Sequence, residues 1–313
     1  MTVLITGGTG FVGKGLCESL LKKQIPFKLL PRNYFSKLCK SFECIDTFED
    51  DEIRFKVMQL LKGCDTVIHL AGKAHVRGKP SVRNFNRALN EYREINTYGT
   101  LNLANICINA GVRRFIFISS IKVNGENTFR EPFRHNSIPN PVDPYGISKY
   151  EAEKDLLALD SRLEVAIIRP PLVYGPGVKG NFRSLVRLIH SGMPIPFGEI
   201  NSNLRSYVAL ENLIDLICTV INHPKAINDI YLVSDGSDIS TKKLSQELAL
   251  ALNKRITLWN FPIPLLKFFF WLIRRSDGYS RLIESLQIDM QYTCLKLDWK
   301  PIVTMYDGLK KIS

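Results

Sequence analysis

Residues 2–13, TVLITGGTGFVG, decide the fold that this chain is expected to adopt. Thr2 to Thr6 is an apolar, β-branched run that predicts a buried strand. Gly7, Gly10 and Gly13 follow at three-residue spacing, and residues 14–23 (KGLCESLLKK) have helical periodicity. A glycine turn between a strand and a helix directs backbone N–H groups and the positive helix end at one point, which suits a pyrophosphate. The alternative is a glycine-rich turn that binds no ligand.

The composition is that of a globular enzyme. The 313 residues are 45% hydrophobic and 23% charged, which excludes a disordered chain. The net charge of +12 would suit a polyanion, but the basic residues are scattered, so we expect no nucleic acid partner. A phosphorylated small substrate or an anionic membrane surface explains the charge as well. Seven cysteines without a CxxC pair predict reduced thiols, and the strand at Thr2 leaves no room for a signal peptide, so we expect a cytoplasmic protein.

Strand and helix signals alternate through the first half of the chain, which predicts an α/β fold with a doubly wound parallel sheet of the Rossmann type. We expect residues 1–170 to form a dinucleotide-binding domain, with residues 229–234 returning to its sheet as a last strand. Residues 171–313 would mainly form a smaller, C-terminal substrate-binding domain.

The residues at the ends of the second, third and fourth predicted strands suggest how a dinucleotide cofactor is recognised. The second strand ends at Pro31-Arg32, where NAD-binding folds of this type place a carboxylate for the ribose 2′-hydroxyl. The Arg32 guanidinium suits a 2′-phosphate instead, so NADP(H) is favoured, with NAD(H) as the alternative. Asp46, after the third strand, is placed to contact adenine. Gly72 follows the fourth strand and lets a cofactor pass close by.

The fourth strand also contains a histidine. No second metal ligand lies at suitable spacing from His69, so we predict that it packs within the strand and that the chain has no metal site.

Three residues have the order and spacing of a catalytic set. The fifth strand ends at Ser119-Ser120, and Tyr145 and Lys149 follow on one face of a predicted helix. A free tyrosine titrates near 10, too high for proton transfer at neutral pH. An ammonium about 4 Å away, at an effective dielectric near 20, would favour the phenolate by roughly 4 kcal/mol. We therefore expect the pKa of Tyr145 to lie near 7.

With these motifs, the chain resembles the extended short-chain dehydrogenases/reductases of the nucleotide-sugar epimerase/dehydratase group over essentially its whole length. The resemblance implies that Ser120 hydrogen-bonds the sugar oxygen, Tyr145 moves the proton, and Lys149 holds the cofactor ribose. Further cofactor contacts are implied for Thr9, Phe11, Val12, Leu70, Ala71, Asn96 and Pro170. Substrate contacts are implied for Lys122, Asn181, Phe182 and Arg205. Leu172 departs from the family pattern, which often has an asparagine there for the nucleotide diphosphate.

The resemblance leaves the reaction open between two activities at sugar C4. The patterns SSIKVNGE, PYGISK and RPPLVYGPGVK are most similar to reductases of UDP-4-keto-6-deoxy-N-acetylhexosamines, which serve the biosynthesis of surface polysaccharides such as O-antigen and capsule. Together with Arg32 they favour a reductase. The alternative is a UDP-glucose or UDP-N-acetylglucosamine 4-epimerase with tightly bound NAD, and a second alternative is a non-catalytic binding protein. The nucleotide would be UDP or dTDP.

Two apolar stretches of the sequence bear on membrane contact and on oligomeric state. Residues 265–273 (LLKFFFWLI) are too few to span a bilayer, so a buried helix of the smaller domain is the favoured interpretation. Peripheral contact with a membrane is the alternative. The helices that follow Glu94 and Tyr145 pair into a four-helix seam in relatives, which predicts a homodimer.

Overall fold

The computed structural model describes residues 1–40, 48–74, 84–159, 162–272 and 276–312. The strands are β1 (Thr2–Thr6), β2 (Phe27–Leu30), β3 (Cys64–His69), β4 (Arg114–Ile118), β5 (Glu164–Arg169), β6 (Leu172–Tyr174), β7 (Tyr207–Ala209) and β8 (Asp229–Leu232). The α-helices are α1 (Phe11–Lys22), α2 (Arg32–Lys40), α3 (Phe48–Leu61), α4 (Phe85–Arg93), α5 (Gly99–Asn109), α6 (Pro144–Leu157), α7 (Gly180–His190), α8 (Leu210–Asn222), α9 (Thr241–Ala251), α10 (Ile263–Leu272), α11 (Ser276–Ile283), α12 (Gln291–Leu297) and α13 (Met305–Lys310).

Six parallel strands form the main described sheet, in the order β2-β1-β3-β4-β5-β8. The chain passes from β1 outward to β2 and then returns to β3 on the other side of β1. This reversal opens a crevice at the carboxyl ends of β1 and β3, where sheets of this topology bind their ligands. The prediction of a Rossmann-type doubly wound fold is confirmed. The predicted third strand, residues 42–45, and Asp46 lie outside the described residues.

Helices cover both faces of the sheet because consecutive strand residues point in opposite directions. Leu4, Val67 and Phe115 face a cluster that includes residues of α2, α3, α5 and α6. Val3 and Ile68 face the opposite cluster, in which α1 and α8 pack on the sheet. Continuous apolar strands such as β4 therefore follow from burial on both sides.

The later part of the chain builds a third apolar cluster beside the sheet. It combines side chains of α7, α9, α10 and α13 with Tyr174 and Tyr207 from the small parallel sheet β6-β7. The helix α8 belongs instead to the core of the main sheet, and β8 pairs with β5 at the sheet edge. The sequence after residue 170 thus contributes both to the main sheet and to the smaller cluster.

Candidate active site

The glycine turn after β1 is fixed by contacts between main-chain atoms. Gly7 has φ +70°, and the Gly10 N–H donates to the Gly7 carbonyl at 2.9 Å. A Cβ at Gly13 would lie 2.2 Å from that same carbonyl oxygen, and one at Gly7 would lie 2.7 Å from the Ala71 nitrogen. Both positions therefore exclude a side chain. The close approach at Gly13 lets α1 begin directly against the turn.

The turn fits the diphosphate of a dinucleotide. The helix α1 begins at Phe11 with Gly10 as its N-cap, and its first turn has no acidic residue and no side chain capping it. Its leading N–H groups are therefore left for an anion, which the helix dipole also favours. Phe11 and Val12 pack against the core below, while Thr9 is exposed at the rim of the turn.

The opposite wall of the crevice is the segment after β3. Asn96 is fully buried and holds this segment with two hydrogen bonds, from the Lys73 N–H to Oδ1 (2.8 Å) and from Nδ2 to the Lys73 carbonyl (3.1 Å). A Cβ at Gly72 would lie 3.1 Å from Asn96 Oδ1 and 3.4 Å from Lys149 Nζ. The predicted cofactor residues Gly72 and Asn96 are thus brought beside the predicted catalytic lysine.

Asn96 sits in a π-helical turn, Glu94–Tyr98, between α4 and α5. Such turns are rare and often occur at functional sites. The amide of Asn96 also donates to Ser148 Oγ at 3.0 Å, and Ser148 in turn donates to the Tyr145 carbonyl at 2.8 Å. The segment after β3 and the first turn of α6 are therefore joined by side-chain hydrogen bonds.

The three predicted catalytic residues converge at the carboxyl edge of the sheet. Ser120 follows β4 and caps a short 3₁₀ turn, and the Tyr145 and Ser120 side chains are hydrogen-bonded to each other. Lys149, one turn further along α6, donates from Nζ to the Ile118 carbonyl at 3.0 Å and lies 4.3 Å from the centre of the Phe117 ring. The spacing of the sequence motif therefore leads to one cluster of side chains.

The ionisation of this cluster differs from the expectation. Burial raises the pKa of Tyr145 to about 12, although the hydrogen bond with Ser120 works in the opposite direction. Burial also lowers the pKa of Lys149 to about 7, against the attraction of Glu153. The expected Tyr145 pKa near 7 is wrong for the protein without ligands. The reason is that desolvation penalises the charged forms of both groups, the phenolate of Tyr145 and the ammonium of Lys149.

A buried ion pair supports α6 from beneath. Arg169, at the end of β5, donates from Nε to Glu153 Oε1 at 3.0 Å and from Nη1 to Asn124 Oδ1 at 3.0 Å. Both partners of the ion pair are almost fully buried. Sequence reasoning did not identify this pair. The available signal was the spacing of Lys149 and Glu153, which places the carboxylate one turn after the lysine on the same helical face.

A second ionic cluster fixes the start of α6. The Asp143 side chain accepts from the Gly146 N–H at 2.6 Å and so caps the helix. It also pairs with Lys122, whose Nζ lies 2.6 Å from Glu126 Oε1. Lys122 is thus held by two carboxylates, which raise its pKa against the opposing effect of burial. Its predicted contact with substrate stays a prediction.

His69 occupies the core beneath the crevice, as predicted for a packed strand residue. Its Nδ1 lies 2.7 Å from Thr6 Oγ1 and its Nε2 lies 3.0 Å from Thr100 Oγ1. Burial and the nearby Lys149 lower the pKa of His69 well below its usual value, so the ring is neutral. Among the described residues, no group of three His, Cys, Asp or Glu side chains is arranged to hold a metal ion.

The remaining predicted residues lie around the crevice at different depths. Arg32 is exposed at the start of α2, directly after β2, and Leu70 and Ala71 follow β3. Pro170 is buried, and its carbonyl accepts from the Ile121 N–H at 3.0 Å. This contact holds the segment after β5 against the segment after β4.

Three of the predicted substrate residues lie in the later part of the chain. Asn181 is exposed in the first turn of α7, whereas the Phe182 ring is buried and stacked on Tyr174. Arg205 donates from Nη1 to the Glu284 carbonyl at 2.8 Å and also hydrogen-bonds Tyr207. Burial lowers the pKa of Arg205. The Phe182 ring thus belongs to the packing of the apolar cluster, and Arg205 is held in place before any ligand binds.

A cavity of about 490 Å³ adjoins the glycine turn without reaching the catalytic cluster. It touches the turn at Thr9, Gly10 and Phe11 and continues between α1 and α8. Ser120, Tyr145 and Lys149 do not line it. No helix in the described part of the chain is both long and apolar enough to cross a bilayer.

The comparisons with known proteins agree with the fold and the glycine turn. The family model for the NAD dependent epimerase/dehydratase family matches residues 3–234. The chain is similar to the UDP-glucose 4-epimerase of Vibrio cholerae, with 46% identity over 325 residues that cover 99% of this chain and 94% of that protein. It is also similar to the dTDP-4-dehydro-6-deoxyglucose reductase of Escherichia coli, with 25% identity, covering 99% of this chain and 96% of that protein.

A solved structure shows the same fold. The structure of RMD from Pseudomonas aeruginosa complexed with NADPH superimposes with a TM-score of 0.75 and 23% identity, covering 100% of this chain and 98% of that chain. The family model and the relatives identify the chain as an NAD(P)-dependent enzyme of the extended short-chain dehydrogenase/reductase class, and the glycine turn agrees with it. Within that class, the chain belongs to the NAD dependent epimerase/dehydratase family of nucleotide-sugar epimerases and reductases.

Proposed function

We propose that this protein is a UDP-hexose 4-epimerase. The observation that carries the proposal is the 46% identity with a UDP-glucose 4-epimerase along nearly the whole of both chains. The convergence of Ser120, Tyr145 and Lys149 at the carboxyl edge of the sheet, with Lys149 beside Gly72, supports it. The sequence patterns and Arg32 favour a reductase, with the epimerase as the alternative. We place the epimerase first because this relative is far more similar than the reductase.

The chain's own residues supply proton transfer and orientation. Tyr145 holds a proton at its phenol oxygen beside the Ser120 hydroxyl, so that a sugar C4 oxygen between them would exchange a proton with Tyr145 and accept a hydrogen bond from Ser120. Lys149, next to Gly72, would hydrogen-bond a cofactor ribose. The nicotinamide, when bound, supplies hydride transfer at C4.

The ionisation without ligand indicates when the phenol becomes active. With a Tyr145 pKa of about 12, the phenol stays protonated at neutral pH in the empty protein. The oxidised cofactor carries a positively charged nicotinamide ring, and a positive charge near Tyr145 would favour its phenolate form. We therefore propose that cofactor binding is needed to lower the Tyr145 pKa into the working range.

One assay separates the two reactions. Purified protein is incubated with UDP-glucose and, separately, with a UDP-4-keto-6-deoxy-N-acetylhexosamine in the presence of NADPH. An epimerase converts UDP-glucose to UDP-galactose, seen by NMR of the product, with no net change in NADPH absorbance. Stoichiometric NADPH loss with the keto sugar and no epimerisation would instead establish the reductase. Absence of turnover with both substrates and with UDP-N-acetylglucosamine would support the non-catalytic alternative.

The second candidate, the 4-ketoreductase, is favoured by one specific position. Arg32 lies exposed at the carboxyl end of β2, where its guanidinium suits the 2′-phosphate of NADPH. If it reads that phosphate, Arg32→Ala lowers the ratio of kcat/KM for NADPH over NADH by about tenfold. Arg54→Ala, another exposed arginine, on α3, serves as the control. An unchanged ratio in Arg32→Ala would remove the support for NADP(H).

We further propose the assembly and domain roles that the sequence suggests. A groove of about 400 Å³ follows the outer face of α6 and includes Tyr98, Ile147 and Tyr150, which suits a homodimer seam formed by helices. Sedimentation velocity tests the dimer, and Tyr150→Asp is expected to yield monomers.

The domain roles follow the division of the sequence. Residues 1–170 and 229–234 would bind the cofactor, and residues 171–313 would mainly bind a UDP-sugar or dTDP-sugar in the cytoplasm.

A further inference from the structure

The helix α10 is apolar, yet most of it faces solvent. Only Leu266 is buried among its residues, and Phe270 packs on Tyr279 of α11 with ring centres 6.3 Å apart. Five large apolar side chains point outward, with 52% to 67% of each exposed. We call these the α10 patch: Leu265, Phe268, Phe269, Trp271 and Leu272. The expectation that this segment is a buried helix is therefore wrong.

Such a patch requires an explanation because apolar surface of this density is costly in water. Single exposed apolar residues are common, but contiguous ones mark an interaction surface. The two inward residues, Leu266 and Phe270, are one turn apart and fix the helix on the third cluster. The patch is thus the outer side of an anchored helix, and its residues contribute little to the fold.

The charge of the surrounding chain indicates the partner. Residues 252–272 contain Lys254, Arg255 and Lys267 and no Asp or Glu, and all three basic side chains are exposed. A second copy docked by the same face would bring these positive charges together without a carboxylate in this segment to compensate them. A surface of negative charge above an apolar layer matches both features.

We propose that α10 docks this protein on an anionic lipid bilayer. The patch inserts its tryptophan, phenylalanine and leucine side chains at the boundary between headgroups and acyl chains, where aromatic residues are favoured. Lys267, on α10 itself, contacts the lipid phosphates, and the positive charges of Lys254 and Arg255 add to the longer-range attraction. The helix lies in the membrane plane and does not cross it. This inference does not depend on which sugar reaction the enzyme performs.

Flotation with lipid vesicles tests the proposal on the full-length protein. The wild type is expected to float with vesicles of equal parts phosphatidylglycerol and phosphatidylcholine, and far less with phosphatidylcholine alone. Trp271→Asp is expected to lower the bound fraction at least about tenfold, and Lys267→Glu to lower it severalfold. Raising the salt concentration weakens the binding of the wild type, because the ionic part of the attraction is screened.

Matched controls keep the result specific to α10. Leu295→Asp changes a residue of α12 that is 74% exposed, and it is expected to bind vesicles like the wild type. An unchanged melting temperature and cofactor uptake in Trp271→Asp show that the variant is folded. The proposal is overturned if the wild type does not float with anionic vesicles, or if Trp271→Asp floats equally well. It is also overturned if the patch instead holds two copies together, seen as self-association that Trp271→Asp abolishes.

Discussion

The glycine turn and the α6 wall, which is the cluster of side chains around Tyr145 and Lys149, face the same crevice but are built from different atoms. The turn consists of main-chain atoms in close contact. The Gly7 carbonyl, for example, occupies the place where a side chain at Gly13 would stand. The wall consists of side chains whose charges depend on burial, among them Tyr145 and Lys149. Steric rules determine the first region completely. The second depends on neighbours that are distant in sequence.

The largest expected effect comes from the wall. Tyr145→Phe removes the hydroxyl that exchanges a proton with the substrate, so kcat is expected to fall by about 10²- to 10⁴-fold. The measurement is steady-state turnover, with dinucleotide binding by calorimetry as the control for an intact glycine turn. Turnover at the wild-type rate would show that the proton comes from another group, and the functional contrast between wall and turn would be lost.

The next largest effect is a loss of folding stability when the buried ion pair between Arg169 and Glu153 is broken. Glu153→Gln leaves the Arg169 guanidinium buried without its carboxylate, and the free energy of unfolding is expected to fall by about 3–5 kcal/mol. Glu151→Gln on the same helix is the matched control, because its pair with Arg93 is about 30% exposed. It should cost about 0–1 kcal/mol. Equal losses in the two variants, measured by urea denaturation, would contradict this account of α6.

The glycine turn should respond to a single methyl group. Gly13→Ala places a Cβ 2.2 Å from the Gly7 carbonyl, so α1 must shift, and dinucleotide affinity is expected to fall by about 10- to 100-fold. In Gly15→Ala the atoms nearest to the new Cβ belong to the Ile214 and Leu210 side chains, which are able to move, and not to the main chain. This control should bind nearly as well as the wild type. Equal affinity of the Gly13→Ala variant would remove the steric argument.

The difference between the glycine turn and the α6 wall also explains which parts of the fold and the site could be predicted from the sequence. Strand patterns, the three glycines and the order Ser120, Tyr145, Lys149 are local signals, and the sheet and its crevice follow from them. The partners of α6 are not local: Arg169 comes from β5 and Lys122 from the segment after β4. The expected pKa of Tyr145 was wrong because the sequence spacing indicates the distance between the phenol and the ammonium, but not the cost of burying either charge. For α10, apolar composition suggested burial, whereas only the packing shows which side of a helix is covered.

The smallest expected effect concerns Lys149 in the protein without ligands. Its pKa of about 7 lies below the value near 10.4 of a lysine in the unfolded chain. Between these two values the unfolded state binds more protons, so stability rises with pH. Below pH 7 both states are protonated, and the folded state bears the full cost of a buried ammonium. Stability should therefore increase by about 1–3 kcal/mol from pH 7 to pH 9 through this group.

Lys149→Met isolates this contribution because methionine is of similar length and does not titrate. The variant is expected to unfold at a higher temperature than the wild type at pH 6.5, and the gap should shrink steadily as the pH is raised to 9. Differential scanning calorimetry across this range measures the gap. A gap that does not change with pH would show that Lys149 keeps its ordinary pKa when folded. The wall would then carry a full positive charge beside Tyr145 even without cofactor, and the need for cofactor to activate the phenol would disappear.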